Sequence, residues 1–139
     1  MSPPTETRTV QVAVGIITRG EKILVTKRLP GSHLEGTWEF PGGKVEATES
    51  PQAALRREIE EELGLTFAKA VLFERRQYRY PERTVELSVY LCLDVEGTPQ
   101  AVEGQDMRWL SGKELQEVET PAANREVIEL LAAYCDESN

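Results

Sequence analysis

Apolar residues along this chain switch between two periodicities, and the switches mark its elements. Val10 to Thr18 (VQVAVGIIT) is β-branched and mostly apolar, which predicts a buried strand. Arg19-Gly20-Glu21 reads as a turn, and Lys22 to Lys27 (KILVTK) returns as a second strand. Leu29 to Gly43 is rich in Gly and Pro and reads as a long structured loop with Trp38 and Phe40 as anchors. The period then lengthens. Ser50-Pro51 is a helix start, with Ser as N-cap and Pro in the first turn, and Leu55, Ile59 and Leu63 recur one turn apart as an apolar stripe. Gly64 closes that helix. Phe67 to Tyr80, which admits an interruption, Thr84 to Asp94 and Met107 to Leu110 read as strands. Ser111 to Val118 reads as a short helix and Asn124 to Tyr134 as an amphipathic final one. Met1 to Thr7 reads as a loose polar tail. Strands mixed with helices of these lengths predict a single α/β domain built as a layered sandwich.

Composition narrows the function classes. With 139 residues, the chain is long enough for one core and too short for two comfortable ones. No apolar run approaches the roughly 20 residues that span a bilayer, and Met1 to Arg8 lacks the apolar stretch of a secretory signal. The cytoplasm is the expected location. Cys92 and Cys135 are far apart, have no metal-type spacing and read as free thiols. A net charge of −8 argues against a nucleic-acid polymer, whose binding draws on Lys and Arg at the phosphates. It leaves a small phosphorylated ligand open, because a divalent cation can carry the missing positive charge.

The helix from Ser50 carries the candidate chemistry. At about 100° per residue, Glu58, Glu61 and Glu62 share the face beside the apolar stripe, while Glu60 points elsewhere. Like charges one turn apart cost about 0.2–0.5 kcal/mol even when solvated. A plain acidic surface is one meaning of this run. A bound cation is the other: Mg2+ and Mn2+ prefer carboxylate oxygens, and Mg2+ commonly adds substrate phosphates to one or two carboxylates. Arg57 precedes the cluster and can orient a carboxylate with its guanidinium fork. Gly42-Gly43 lets the chain approach the same face without a Cβ.

These residues resemble the signature of the Nudix hydrolase family at each of its fixed positions. They are Gly43, five residues, Glu49, seven residues, Arg57-Glu58-Ile59, one residue, Glu61-Glu62, one residue, and Gly64-Leu65. The resemblance covers nearly the whole chain. Val12-Ala13-Val14-Gly15-Ile16-Ile17, Thr26-Lys27-Arg28 and Glu39-Phe40-Pro41-Gly42-Gly43-Lys44 are similar to the mutator MutT branch of the family. So are Tyr80-Pro81-Glu82-Arg83, Glu103-Gly104-Gln105 and Pro121-Ala122-Ala123-Asn124, at similar spacing.

That resemblance implies one Nudix domain over residues 1–139, an α/β/α sandwich around a mixed β-sheet; a monomer is expected, and the acidic surface implies no membrane partner. It implies magnesium-dependent hydrolysis of oxidised purine nucleoside triphosphates, 8-oxo-dGTP foremost, to monophosphate and pyrophosphate, which sanitises the nucleotide pool. Manganese would substitute for magnesium. Glu58, Glu61, Glu62, Glu103 and the Gly42 carbonyl would ligate metal. Glu58 or Glu103 would be the base, with Glu49 a weaker candidate. Arg28 would contact phosphate or nucleotide, Asn124 would read the base edge, and Arg83 and Phe40 would shape the pocket. Plainer readings stand beside these: Arg28 as a strand-end cation, Asn124 as a helix N-cap, Trp38 as a packing anchor rather than a base platform. His33 is a further base candidate on its pKa. Lys27 stands where an Arg is expected. Other substrates of the same family, (d)CTP, ADP-ribose or a dinucleoside polyphosphate, are the nearest alternatives, and a non-catalytic nucleotide sensor is the alternative from another class.

Overall fold

The computed structural model describes residues 8–32 and 34–137, without the side chains of 134–137. His33, the tail from Met1 to Thr7 and the Cys135 thiol lie outside the described residues. The first strand, β1 (Arg8–Ile16), lies at the centre, because its two faces bury different sets of side chains. Ala13, with Ile17 just past the strand's end, enters one apolar cluster, while Val14 and Ile16, with Val12 beside them, enter another. β1 runs parallel to β7 (Arg83–Glu96) and antiparallel to β5 (Gly42–Lys44); β7 pairs antiparallel with β6 (Thr66–Arg79). This gives a mixed sheet in the order β5-β1-β7-β6.

A smaller antiparallel sheet joins β2 (Thr18–Arg19), β3 (Lys22–Lys27), β4 (Trp38–Glu39) and β8 (Met107–Ser111), the last paired with β3. Helix α1 (Pro51–Leu63) covers one face of the sheets, and its stripe of Leu55, Ile59 and Leu63 is wholly buried against Ala13, Leu24 and Tyr90. Burial of each such side chain contributes about 1.5–3 kcal/mol as an upper figure. The opposite face carries α2 (Gly112–Glu117) and α3 (Ala122–Glu137), with Leu115, Val127 and Ile128 packed among Val14, Leu87 and Leu110. The layers are therefore helix, sheet, helix. No helix among the described residues is long and apolar enough to cross a membrane.

Several elements depart from the sequence expectation. The first strand does not run unbroken to Thr18; it stops at Ile16, and Ile17 accepts from Leu24 N–H at 2.9 Å before the chain turns into β2. The stretch from Leu29 to Gly43 is not all loop. Trp38 and Glu39 pair with Lys27 and Thr26, and Gly42 pairs with Val14. Such short strands are specified by a partner remote in sequence rather than by their own composition. The final helix begins at Ala122, so Asn124 lies inside its first turn rather than at its N-cap. In contrast, Ser50 caps α1 through the Ala53 N–H at 3.1 Å, and Gly64 closes it in the left-handed region at φ 68°.

Candidate active site

Helix α1 and strand β5 meet along the acidic face. A Cβ on Gly43 would lie 2.5 Å from the Glu58 carboxyl carbon, so only glycine leaves room for that carboxylate. Gly42 donates its N–H to Glu62 Oε2 at 3.2 Å. The Arg57 guanidinium spreads over four acceptors. It forks onto Glu49 (2.6 and 3.2 Å) and reaches Glu58 (2.7 Å), the Lys44 carbonyl (3.1 Å) and, more weakly, Glu61 (3.4 Å). The fork holds the Glu49 carboxyl below its ordinary range, helped by the Glu46 N–H. A carboxylate so engaged is a poor proton acceptor, so Glu49 serves as the anchor of Arg57.

The remaining carboxylates are near enough for their charges to act on one another. Burial raises Glu62, and Glu58, Glu103 and Glu39 raise it further, to about 8. Burial also raises Glu58, against the pull of Arg57. Glu61 stays at the rim, its side chain 57% exposed. Glu103 reaches the cluster from the loop before β8. That loop is fixed by the open end of α1: Gln100 N–H donates to Leu63 O (3.0 Å) and Val102 N–H to Glu62 O (3.2 Å). Gln105, buried, donates to Glu62 O and accepts from Glu103 N–H, both at 3.0 Å.

Across the cleft, Arg28, just past the end of β3, pairs with Glu39 at 3.0 Å. Both line three adjoining hollows. One reaches Glu62 and Glu103; one, of about 280 Å³, runs past Gly42, Gly43 and Phe40; the third ends at Asn124, Tyr80 and Pro121 over the apolar floor of Val12, Val14, Val85 and Leu87. Asn124 is buried, and its Oδ1 accepts the Phe40 N–H at 3.3 Å. Arg83 lines two of these hollows. The Phe40 ring is itself core, 2% exposed, so its backbone is what addresses the cleft through Asn124. Trp38 is a core anchor beneath Lys27 and Arg108, 5.8 and 5.0 Å from its ring centre. Cys92 is a buried thiol that burial pushes up to about 12.

Sequence reading assigned no role to Glu39 or Gln105. Both stand in motifs already singled out, Glu39 before Phe40 and Gln105 after Glu103-Gly104, and that adjacency was the only available signal. The burial of Gln105 and the half-burial of Glu39 were not legible.

The donor set is all oxygen and excess in negative charge, which fits a hard divalent cation. Among the described residues no three acidic, His or Cys side chains already stand in an ion-holding arrangement. Arg57 occupies part of the acidic face instead, so ligation of a cation would require side-chain rotation about this backbone frame. Arg57→Ala is expected to lower turnover about 10- to 100-fold, by releasing Glu49 and Glu58 together. Arg57→Lys should recover only part, because one ammonium cannot span both carboxylates. Equal kcat in Arg57→Ala and the parent would remove that orienting role.

Layers, sheet order and acidic helix define a class, and the comparisons agree with it. The chain belongs to the Nudix family: the NUDIX domain pattern matches residues 12–130, and the chain is a pyrophosphohydrolase of that family. It is 42% identical to an 8-oxo-dGTP diphosphatase of Haemophilus influenzae, over 88% of this chain and 90% of that one. It is 36% identical to the CTP pyrophosphohydrolase of Escherichia coli, over 89% and 92%. A solved MutT structure from a study of the Aliivibrio salmonicida and Vibrio cholerae proteins superposes with a TM-score of 0.78 at 32% identity. It covers 91% of this chain and 99% of that one.

Proposed function

We propose that this protein hydrolyses purine nucleoside triphosphates, 8-oxo-dGTP foremost, to nucleoside monophosphate and pyrophosphate with Mg2+, for which Mn2+ can substitute. The observation that carries the reading is the buried Asn124 amide at one end of a cleft whose other end is lined by Glu62 and Glu103. Glu58, Glu61, Glu62 and Glu103, with the Gly42 carbonyl, would hold the cation. When bound, it would offset phosphate charge and lower the pKa of water in the cleft. Arg28, between the two ends, supplies a cation against the phosphate chain. Arg57 keeps Glu58 oriented, and Glu58 or Glu103 accepts the proton of the water that attacks the β-phosphorus.

Selectivity follows from the amide. Because Oδ1 accepts the Phe40 N–H, the orientation of the Asn124 side chain is set by the fold. Oδ1 keeps one lone pair for a donor on the base, and Nδ2 offers a hydrogen to an acceptor. An 8-oxo purine presents N7–H beside O6 and satisfies both. Guanine presents an acceptor at N7 and leaves Oδ1 facing a lone pair, a mismatch of the kind that discriminates strongly.

A pyrimidine triphosphate is the second reading, favoured by the likeness to the CTP pyrophosphohydrolase. Pyrophosphate release from 8-oxo-dGTP, dGTP, CTP and dCTP separates the two. The expected result is a kcat/KM for 8-oxo-dGTP at least about 100-fold above dGTP, with both pyrimidines lower still. Equal efficiencies for 8-oxo-dGTP and dGTP, or a preference for CTP, would overturn the purine reading.

A further inference from the structure

Asn124 lies in a turn whose neighbouring residues are each tied to a different part of the fold. Ala123 donates its N–H to Tyr80 Oη at 3.3 Å, and Glu126 accepts from Arg76 of β6 at 2.9 Å. Arg125 points the other way. Its Nη1 donates to Gln116 O at 3.0 Å and, more weakly, to Leu115 O at 3.4 Å, and its Nη2 donates to Val118 O. Those carbonyls belong to the end of α2, where intrahelical donors have run out. Helix α2 has no basic residue in its own last turn, so the cap comes from α3. At its other end α2 is closed by a capping box between Ser111 and Glu114, and Leu115 packs in the same cluster as Val127 and Ile128. The guanidinium therefore joins a capped, packed helix to the residue immediately after Asn124.

We infer that Arg125 is a positioning residue for base recognition: by gripping the end of α2 it sets the depth and rotation of Asn124 in the cleft. The inference rests on the reading of Asn124 as the base-contacting residue. A rotation of the first turn of α3 moves the Asn124 amide away from the Phe40 N–H, and with it the donor and acceptor offered to the base. Glu58 and Glu62 at the phosphate end stand on α1 beside β5, and the carbonyls that Arg125 grips, on Leu115, Gln116 and Val118, belong to neither element. Loss of Arg125 thus acts on one end of the substrate.

The test measures Asn124→Ala, Arg125→Ala, Arg125→Lys and the Asn124→Ala/Arg125→Ala double variant, with 8-oxo-dGTP, dGTP and dCTP as substrates and thermal unfolding as a folding control. Arg125→Ala should raise KM for 8-oxo-dGTP about tenfold with kcat within about twofold, and should shrink the ratio of 8-oxo-dGTP to dGTP efficiency. Arg125→Lys should restore part of that ratio, because an ammonium still donates to the carbonyls. In the Asn124→Ala background the Arg125 substitution should add little, since the two act through one contact. If Asn124→Ala leaves the ratio unchanged, the base-contact reading itself fails. If Asn124→Ala collapses the ratio while Arg125→Ala and Arg125→Lys keep it, positioning by Arg125 is overturned. A fall in kcat shared equally by all three nucleotides would also overturn it. Should Arg125→Ala not fold, Arg125→Lys and Asn124→Ala carry the same comparison.

Discussion

Glu62→Gln should lower kcat by about 10³-fold or more and, in the absence of divalent cations, yield a more stable protein at neutral pH. Both effects come from one environment. The carboxyl is half-buried; desolvation first, then the charges of Glu58, Glu103 and Glu39, raise it from an ordinary 4.5 to about 8. A group with a raised folded-state pKa binds more protons folded than unfolded, so stability falls as pH rises between those two values. Below about pH 4.5 both states are protonated and the term vanishes. The full shift corresponds to about 5 kcal/mol; relaxation and solvent access reduce the recoverable part to about 1–2 kcal/mol. Gln keeps the shape and one hydrogen-bonding oxygen without the charge. Thermal unfolding across pH 5 to 8 should therefore slope downward for the parent and less steeply for the variant. Millimolar Mg2+ should raise the parent's Tm and leave the variant nearly unmoved, because the stabilising ligand needs the ionised carboxylate. Near-normal turnover by Glu62→Gln in saturating Mg2+ would remove Glu62 from the metal-binding set.

The charge balance of the cleft explains why this carboxylate carries so much. Arg57 is matched by Glu49 and Glu58, and Arg28 by Glu39. Beside α1 these pairings leave half-buried Glu62 and Glu103 on its loop, while Lys27, Lys44 and Arg83 are the other cations lining the hollows. An overall charge of −8 could be spread harmlessly over a surface. Here part of it is concentrated against backbone that cannot move away, with the Gly42 N–H as the main compensation for Glu62. Phosphate adds still more negative charge. On the proposed function such a substrate would need a cation to enter this cleft, and the cation would relieve the repulsion that Glu58, Glu103 and Glu39 exert on Glu62.

Helix α1 and its carboxylates were legible because they depend on local chemistry. Ser50-Pro51, the stripe at Leu55, Ile59 and Leu63, and Gly64 specify start, buried face and end within one segment. The acidic face then follows from helical geometry alone. Strands β4 and β5 were not legible, because their partners lie elsewhere in the chain and two or three residues have no periodicity to detect. Likewise the break at Ile17 reflects the turn into β2, while the β-branched Val10, Val12, Val14, Ile16 and Ile17 favour continuing. Asn124 reads as an N-cap by type, yet the helix starts at Ala122 and the amide turns to the Phe40 N–H, a partner far off in sequence. Glu39 is one more acidic residue by composition. Only the tertiary arrangement makes it the half-buried partner of Arg28 and a charge acting on Glu62.

The largest loss of stability is expected for Gly42→Ala, about 3 kcal/mol or more in urea unfolding. Gly42 sits at φ 151°, where a side chain is disfavoured, and its strand lies directly against β1. A Cβ there would fall 2.1 Å from the Ala13 carbonyl oxygen and 2.7 Å from Val14 Cα. Both are backbone atoms of the central strand, and neither can rotate aside. Relief requires β5 to separate from β1, which also withdraws the N–H from Glu62. Gly43→Ala is the informative contrast. Its Cβ would meet the Glu58 side chain at 2.5 Å, and a side chain can swing away. That variant should unfold within about 1 kcal/mol of the parent while losing most of its turnover, since the displaced group is a carboxylate of the site. The two substitutions, one residue apart, thus separate a backbone clash from a catalytic one. A parental unfolding midpoint for Gly42→Ala would mean that β5 does not lie against β1 at this distance. The frame holding Glu58 and Glu62 would then have to be drawn differently.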